Sequence, residues 1–148
     1  MKVVLDTNVF VAAGFNPASN SAAIIQHIEA GDLKFVWNRA TKTETRRVLD
    51  QIPFLSWRKF EALFTPETEF EQETDPHQFT VIQDPDDRKF AALATASGAT
   101  LVSNDDHLLS IRDRLDIAIM KPGELMANYH CTSSPSIVKP GPKASKTP

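Results

Sequence analysis

The sequence predicts an α/β domain built on a mainly parallel sheet that helices cover on both faces. Strand-like and helix-like segments alternate along the chain, which is typical of this class. Two strand-like segments, residues 3–5 and 99–104, are continuous apolar or small-residue runs rather than alternating ones, as in strands buried on both faces. Asp6 and Asp105 follow these two runs directly. Because ligands bind at the carboxyl ends of parallel strands, the two acids predict one acidic pocket that binds cations.

The first half of the chain contains two strand patterns and three helix patterns. Ser19 precedes apolar residues at spacings of three and Gly31 follows them, which are ordinary start and stop signals of a helix. Pro53 ends the second helix pattern, and Ser56 is placed to begin the third. The predicted elements are a strand at 2–5, a helix at 20–30, a strand at 33–37, a helix at 39–51 and a helix at 56–64.

The second half begins with a polar, acidic stretch at 65–77, which we expect to be a surface loop. A helix with an acidic first turn and a glycine after its last residue is predicted for 84–97. The other predicted elements are strands at 79–82, 99–103 and 117–120, a short helix near 107–111 and a last helix at 122–129. Residues 1–130 are therefore predicted to form the domain, and 131–148, with Lys139, Lys143 and Lys146, a flexible tail.

Composition limits the class of protein. The chain has 148 residues, 41% of them hydrophobic, which suffices for one core. A net charge of −3 argues against binding nucleic acid through bulk positive charge. Cys131 is the only cysteine, an acid stands already at position 6, and no apolar run reaches membrane-spanning length. We therefore expect a cytoplasmic protein without a disulfide framework, a signal peptide or a membrane segment.

Asp6 and Glu44 are candidate site residues, and each has a structural alternative. Asp6 ends a buried strand, where an aspartate also commonly caps the following helix. Glu44 lies on the less polar face of the predicted helix at 39–51, where an unpaired carboxylate would be costly to desolvate. Arg47, three residues later, could instead hold Glu44 in a helix-surface ion pair.

The later acids crowd two predicted helix starts. Negative charge at a helix start is stabilised by the helix dipole, so Asp84 and Asp86 need no further role. Asp87 stands at the top of the apolar stripe of its helix, which directs it towards the core. Asp105 is placed by the preceding strand, and Asp106 is expected to cap the short helix that follows.

Asp6, Glu44, Asp87 and Asp105 could not all stay ionised in one pocket without a cation. Oxygen ligands of this kind suit Mg²⁺ or Mn²⁺. Zinc is not expected, because the four histidines and the single cysteine show no zinc-ligand spacing. A carboxylate cage with open metal positions can bind phosphate oxygens and lower the pKa of a water molecule. These properties suit phosphodiester hydrolysis.

These acids, in this order, resemble the PIN-domain family. The matching segments are residues 4–9 (VLDTNV), Glu44 with residues 47–49 (RVL), residues 84–94 (DPDDRKFAALA), and residues 98–109, which include VSNDDHLL. The resemblance spans about residues 1–126. Two departures stand near the fourth acid: Asn104 in place of a usual glycine and His107 in place of a common acid.

The resemblance implies a three-layer α/β/α, Rossmann-like fold and an Mg²⁺- or Mn²⁺-dependent ribonuclease. Many small members are VapC-type toxins, which form homodimers and are inhibited by an antitoxin. The family's four acids fall on Asp6, Glu44, Asp87 and Asp105, which would be both the metal ligands and the catalytic residues. Asn8 matches the amide or hydroxyl beside the first acid. Ser103 and Arg88 are the other positions expected to support the ligands or contact the substrate.

Two other functions stay open at this point. A PIN-like protein could bind RNA or a partner without cutting it, although none of the four acids is missing. A phosphatase of the haloacid-dehalogenase type also begins with a strand and an aspartate, but it needs a second acid two residues later, where this chain has Asn8. Backbone contacts to RNA would fall to the cations near the acids, which solvated helix faces explain equally well: Lys42, Arg46, Arg88 and Lys89.

Overall fold

The centre of the molecule is a sheet of four parallel strands. The computed structural model describes residues 1–133, with side chains for residues 1–129. The strands lie in the order β2-β1-β3-β4, and every neighbouring pair is parallel. This arrangement confirms the predicted α/β class. The strand bounds are β1 Lys2–Leu5, β2 Lys34–Phe35, β3 Thr100–Val102 and β4 Ile119–Met120.

Helices cover both faces of this sheet and produce three layers. Val3 and Leu5 of β1 point into one hydrophobic core, whereas Val4 points into the other, as the twofold alternation of a strand requires. The first core is formed with residues of α1, α2, α3 and α6, and the second with residues of α4 and α5. The bounds are α1 Thr7–Phe15, α2 Asn20–Glu29, α3 Arg39–Asp50, α4 Pro85–Ser97, α5 Asp106–Ser110 and α6 Pro122–Ser133.

The helix ends follow from short-range capping chemistry. Ser19 accepts a hydrogen bond from the backbone N–H of Ala22 at the start of α2. Asn38 and Thr41 form a reciprocal capping box at the start of α3. Gly98 ends α4 with φ of 72°, a left-handed conformation that glycine adopts at little cost. The predicted ends of α2, α3 and α4 therefore agree with the structure to within one or two residues.

Two predicted elements are wrong, and one helix of the structure was not predicted. The helix α1 was not predicted, because its less buried side is also apolar, including the exposed Phe15, and leaves no amphipathic stripe. The predicted strand at 79–82 is an irregular turn that places Phe79 and Ile82 in the second core without strand partners. The predicted helix at 56–64 is two short 3₁₀ turns, Trp57–Lys59 and Glu61–Leu63.

Other differences concern boundaries. The second strand is shorter than predicted, although Trp37 makes an isolated bridge with Glu69 beyond its end. The last helix continues to Ser133, three residues past the predicted domain end at 130. Residues 134–148, which hold most of the predicted tail and its three lysines, lie outside the described residues, so the division into domain and tail stays a prediction. No helix within residues 1–133 is long and apolar enough to span a membrane.

Candidate metal centre

Three aspartates meet at the carboxyl end of the sheet. Asp6 follows β1, Asp105 follows the neighbouring strand β3, and Asp87 lies in the first turn of α4. Each offers a carboxylate oxygen, and these three oxygens lie within 4.8 Å of one another. β2 lies on one side of β1 and the later strand β3 lies on the other, so the strand order reverses next to β1. The cluster stands at this reversal, where such sheets bind ligands.

Asp6 is buried, with 4% of its surface exposed. It occupies the N-cap position of α1, yet its carboxylate makes no capping hydrogen bond to the helix. The carboxylate instead accepts hydrogen bonds from Ser103 Oγ at 2.7 Å and Asn8 Nδ2 at 3.3 Å. Burial raises the pKa of Asp6 to about 6, against the opposing effect of the Ser103 hydroxyl. The helix-capping alternative therefore does not account for this side chain.

Ser103 connects the two strand ends. Its hydroxyl donates to Asp6 and accepts from the backbone N–H of Asp105 at 3.0 Å. The side chain of Asn8 donates to Ser103 Oγ at 3.4 Å, and its amide oxygen accepts from the backbone N–H of Asn104 at 3.0 Å. The departure at Asn104 thus leaves this network intact. Asn8 and Ser103 lie beside Asp6, and their hydrogen bonds hold the loop that carries Asp105.

Asp87 has a pKa that is raised further than that of Asp6. Burial and the negative charges of Asp6, Asp84 and Asp105 raise the pKa of Asp87 to about 8. Carboxylates arranged in this way remain partly protonated near neutral pH unless a cation compensates their charge. The donor set of three carboxylates at short separation therefore fits a hard divalent ion.

Asp105, not Asp106, caps the short helix α5. Its Oδ1 accepts a hydrogen bond from the backbone N–H of His107 at 2.9 Å. The predicted capping role of Asp106 is wrong, because the helix begins at Asp106 itself. One oxygen of Asp105 is thereby fixed, and the carboxylate stays within the aspartate cluster.

Glu44 is not a member of the three-residue cluster. Its Oε2 lies 2.7 Å from Arg47 Nη2 and its Oε1 lies 3.3 Å from Lys89 Nζ, while its side chain is only 11% exposed. The ion-pair alternative for Glu44 is therefore present in the structure, strengthened by Lys89 from α4. Ligation of a metal by Glu44 stays a prediction.

A cavity of about 350 Å³ opens beside the cluster and contains polar groups that the sequence did not indicate. Asp84 lines it and raises the pKa of both Asp6 and Asp87, although its carboxylate also caps α4 through the N–H of Asp86. Arg114 lines it from a short 3₁₀ turn, Arg112–Arg114, which was not predicted. Arg88 donates from Nε to the carbonyl oxygen of Ile82 at 2.9 Å and so holds the cavity wall.

A family model described as PIN domain matches residues 2–107. This match covers more than half of the chain and includes all four predicted acids. The chain belongs to the PIN-domain family. The match confirms the resemblance seen in the sequence. Members of this family are generally nucleases, and an acidic cluster at the carboxyl end of the sheet is consistent with that activity. A comparison with curated proteins found no match to this PIN domain.

Solved structures share the fold of this PIN domain at low sequence identity. FitAcB from Neisseria gonorrhoeae is 18% identical, with 82% of this chain and 98% of that chain aligned at a TM-score of 0.51. PAE2754 from Pyrobaculum aerophilum is 18% identical, with coverages of 88% and 99% and a TM-score of 0.54. VapBC2 from Rickettsia felis, bound to a promoter DNA fragment, is 16% identical, with coverages of 82% and 98% and a TM-score of 0.52. At these identities the likeness establishes the fold.

Proposed function

We propose that this PIN domain is an endoribonuclease that depends on Mg²⁺ or Mn²⁺. The observation that carries the proposal is the aspartate cluster, whose three carboxylate oxygens lie within 4.8 Å of one another and whose burial and mutual repulsion raise two pKa values. Such a cluster is stable in its ionised form only beside a cation. The chain belongs to a family whose members are generally nucleases, and a divalent cation in this cluster would assist phosphodiester hydrolysis.

The proposed roles follow from the contacts. Asp6, Asp87 and Asp105 would hold the ion, and Ser103 and Asn8 would orient Asp6 towards it. A bound divalent ion would neutralise phosphate oxygens and lower the pKa of a water molecule. Glu44 belongs to the proposed site as the acid that holds two cations next to the cluster. Direct ligation by Glu44 would compete with these ion pairs.

We further propose that the protein acts in the cytoplasm as the toxin of a toxin–antitoxin pair and forms a homodimer. The sequence resembles VapC-type toxins, and the fold matches that of VapBC2, a complex bound to DNA from its promoter. The cognate partner would then be a DNA-binding antitoxin. A short reading frame for such a protein next to this gene would support the proposal, and a neighbourhood without one would count against it.

The ribonuclease activity can be tested on tRNA, rRNA and mRNA with Mg²⁺ or Mn²⁺. We expect Asp6→Asn to lower the cleavage rate by about 100-fold or more, because loss of a residue that merely supports a ligand already costs 10- to 100-fold. Asp116→Asn, which removes the same charge at an exposed position, should leave the rate unchanged. Circular dichroism of both variants checks that the fold is intact.

Cleavage that persists in EDTA or in Asp6→Asn would contradict the proposed metal site. RNA binding without cleavage across the whole panel would instead favour the non-cutting RNA-binding module. Calorimetric titration of Glu44→Gln and Asp87→Asn with Mn²⁺ shows how much each of the two acids contributes to metal affinity. We expect a large loss of affinity for Asp87→Asn and a smaller one for Glu44→Gln, and equal losses would make Glu44 a full ligand.

A further inference from the structure

A second feature of this PIN domain is a basic groove along α3. The groove has a volume of about 670 Å³, and its floor includes Trp37. We call it the α3 groove and define it by the four cations that line it: Arg39, Lys42, Arg46 and Arg47. The chain as a whole carries a net charge of −3, so this concentration of positive charge is local.

Aromatic rings hold two of these cations in place. Lys42 Nζ lies 5.1 Å from the centroid of the Trp37 ring, and the guanidinium of Arg46 lies 5.8 Å from that of Trp57. Asp50 and Glu69 also line the groove, so four cations face two acids there. The contact of Asp50 with Arg46 is 3.7 Å long, and both side chains are more than half exposed. Exposed pairs of this kind contribute little, so Arg46 stays available to an anionic ligand.

The α3 groove leads to the aspartate cluster through a chain of ion pairs. Arg47, which lines the groove, contacts Glu44 at 2.7 Å and approaches Asp86 of α4 to 3.8 Å. Lys89 of α4 contacts Glu44 from the other side at 3.3 Å. Asp86 directly precedes Asp87, so a row of alternating positive and negative side chains joins the groove to the edge of the candidate metal centre.

We propose that the α3 groove binds the phosphate backbone of the RNA strand that flanks the scissile phosphate. This inference rests on the proposed ribonuclease function. Arg39 and Arg46 are seven residues apart, about 10.5 Å along a helix. That distance exceeds the separation of neighbouring phosphates in a strand, so the groove is long enough to contact more than one phosphate. A surface joined to a site for phosphodiester chemistry favours RNA over an acidic protein segment.

The test measures RNA binding without cleavage. The probe is a 20-nucleotide fluorescein-labelled single-stranded RNA, and every protein carries Asp6→Asn. We expect Arg39→Ala with Lys42→Ala to weaken binding at least tenfold at 100 mM salt. The slope of log K against log salt should also fall by about 1.4, or about 0.7 for each lost phosphate contact. Lys34→Ala with Lys59→Ala, the same charge change on other surfaces, should alter affinity less than twofold.

Equal effects of the two double variants would overturn the groove assignment. Displacement of the probe by poly-glutamate as readily as by unlabelled RNA would also overturn it and assign the groove to an acidic protein segment. Arg46→Ala, at an exposed position, repeats the test if the double variant does not fold.

The catalytically intact protein separates this inference from the proposed function. With Asp6 restored, we expect the Arg39 and Lys42 double variant to raise KM for RNA and to leave kcat within about threefold. RNA cleavage that the double variant leaves unchanged would overturn the groove assignment alone. Absence of cleavage in the wild-type protein, together with groove-dependent binding, would overturn the ribonuclease function and keep the groove as an RNA-binding surface.

Discussion

The hydroxyl of Ser103 uses its complete hydrogen-bonding capacity. It donates to Asp6 and accepts from the backbone of Asp105 and from the side chain of Asn8. The side chain is fully buried, so no water can replace it without a rearrangement. Two strand ends therefore share one small polar group, and the geometry of the aspartate cluster depends on it.

The variant Ser103→Ala tests this dependence. Because the hydroxyl lowers the pKa of Asp6, its loss should raise that pKa further and weaken Mn²⁺ binding at pH 7 by about 10- to 100-fold. The backbone N–H of Asp105 also loses its acceptor, which should cost about 1–3 kcal/mol of stability. Calorimetric titration with Mn²⁺ and thermal unfolding measure the two effects.

Ser97→Ala is the matched control for Ser103→Ala. Ser97 donates to the carbonyl of Leu93 at 2.7 Å near the end of α4, away from the acids. It should leave Mn²⁺ affinity unchanged. Equal losses of affinity in the two variants would contradict the role given to Ser103.

At the residue scale, the sequence predicted those acids whose side-chain direction follows from the strand or helix next to them. Asp6 and Asp105 follow buried strands, and Asp87 tops an apolar stripe, so strand and helix periodicity alone directs them to the site. Glu44 has the same kind of signal, but its carboxylate is held by Lys89, which is 45 positions away in the sequence. The electrostatic effect of Asp84 on Asp6 and Asp87 was missed for the same reason, since it depends on how α4 approaches β1.

At the scale of elements, the capping box of α3 supports both the α3 groove and Glu44. Asn38 is buried and accepts from the backbone N–H of Thr41 at 2.9 Å, while Thr41 accepts from the backbone N–H of Asn38 at 3.0 Å. We expect Asn38→Ala to lower stability by about 1 kcal/mol and to fray the first turn, which carries Arg39. Chemical denaturation and the RNA-binding assay measure the two consequences.

Ser19→Ala removes the corresponding cap of α2 and serves as the control for Asn38→Ala. It should cost a similar free energy of unfolding and leave RNA binding unchanged. If both variants weaken RNA binding equally, the loss reflects general destabilisation rather than the position of α3.

Elements with strong local signals were predictable, and the others depended on tertiary contacts. The helices α2, α3 and α4 have caps, stops and apolar stripes within their own sequences. The helix α1 is apolar on its exposed side as well as on its buried side, so periodicity does not reveal it. Phe79 and Ile82 resemble strand residues because they are apolar, but they cover the second core from an irregular segment that Arg88 holds in place.

At the scale of the whole molecule, the aspartate cluster makes stability depend on pH. The folded state raises the pKa of Asp6 to about 6 and of Asp87 to about 8, above the ordinary value of 3.8. Between about pH 4 and pH 8 the folded state therefore binds more protons than the unfolded state, and its stability falls as pH rises. Metal binding requires the deprotonated carboxylates, so stabilisation by metal should increase over the same range.

Thermal unfolding at pH 5 and pH 8.5 tests this linkage. Without metal, these two groups should lower Tm by about 3–6 °C at the higher pH, after allowance for solvent screening of the partly exposed Asp87. Addition of 1 mM Mn²⁺ should raise Tm at pH 8.5 far more than at pH 5. Asp87→Asn should reduce both effects, and a variant that behaves like the wild-type protein would contradict the assignment.

The cluster joins residues 6, 87 and 105, so during protein synthesis it can assemble only after residue 105 has been added to the chain. At about 5–20 residues per second, about 5–20 seconds separate the synthesis of Asp6 from that of Asp105. The strand β3 must also leave the ribosome and pair with β1 before the third carboxylate arrives. Under the proposed ribonuclease function, a growing chain would not cleave RNA during this interval, and the proposed antitoxin could bind it before the site is complete.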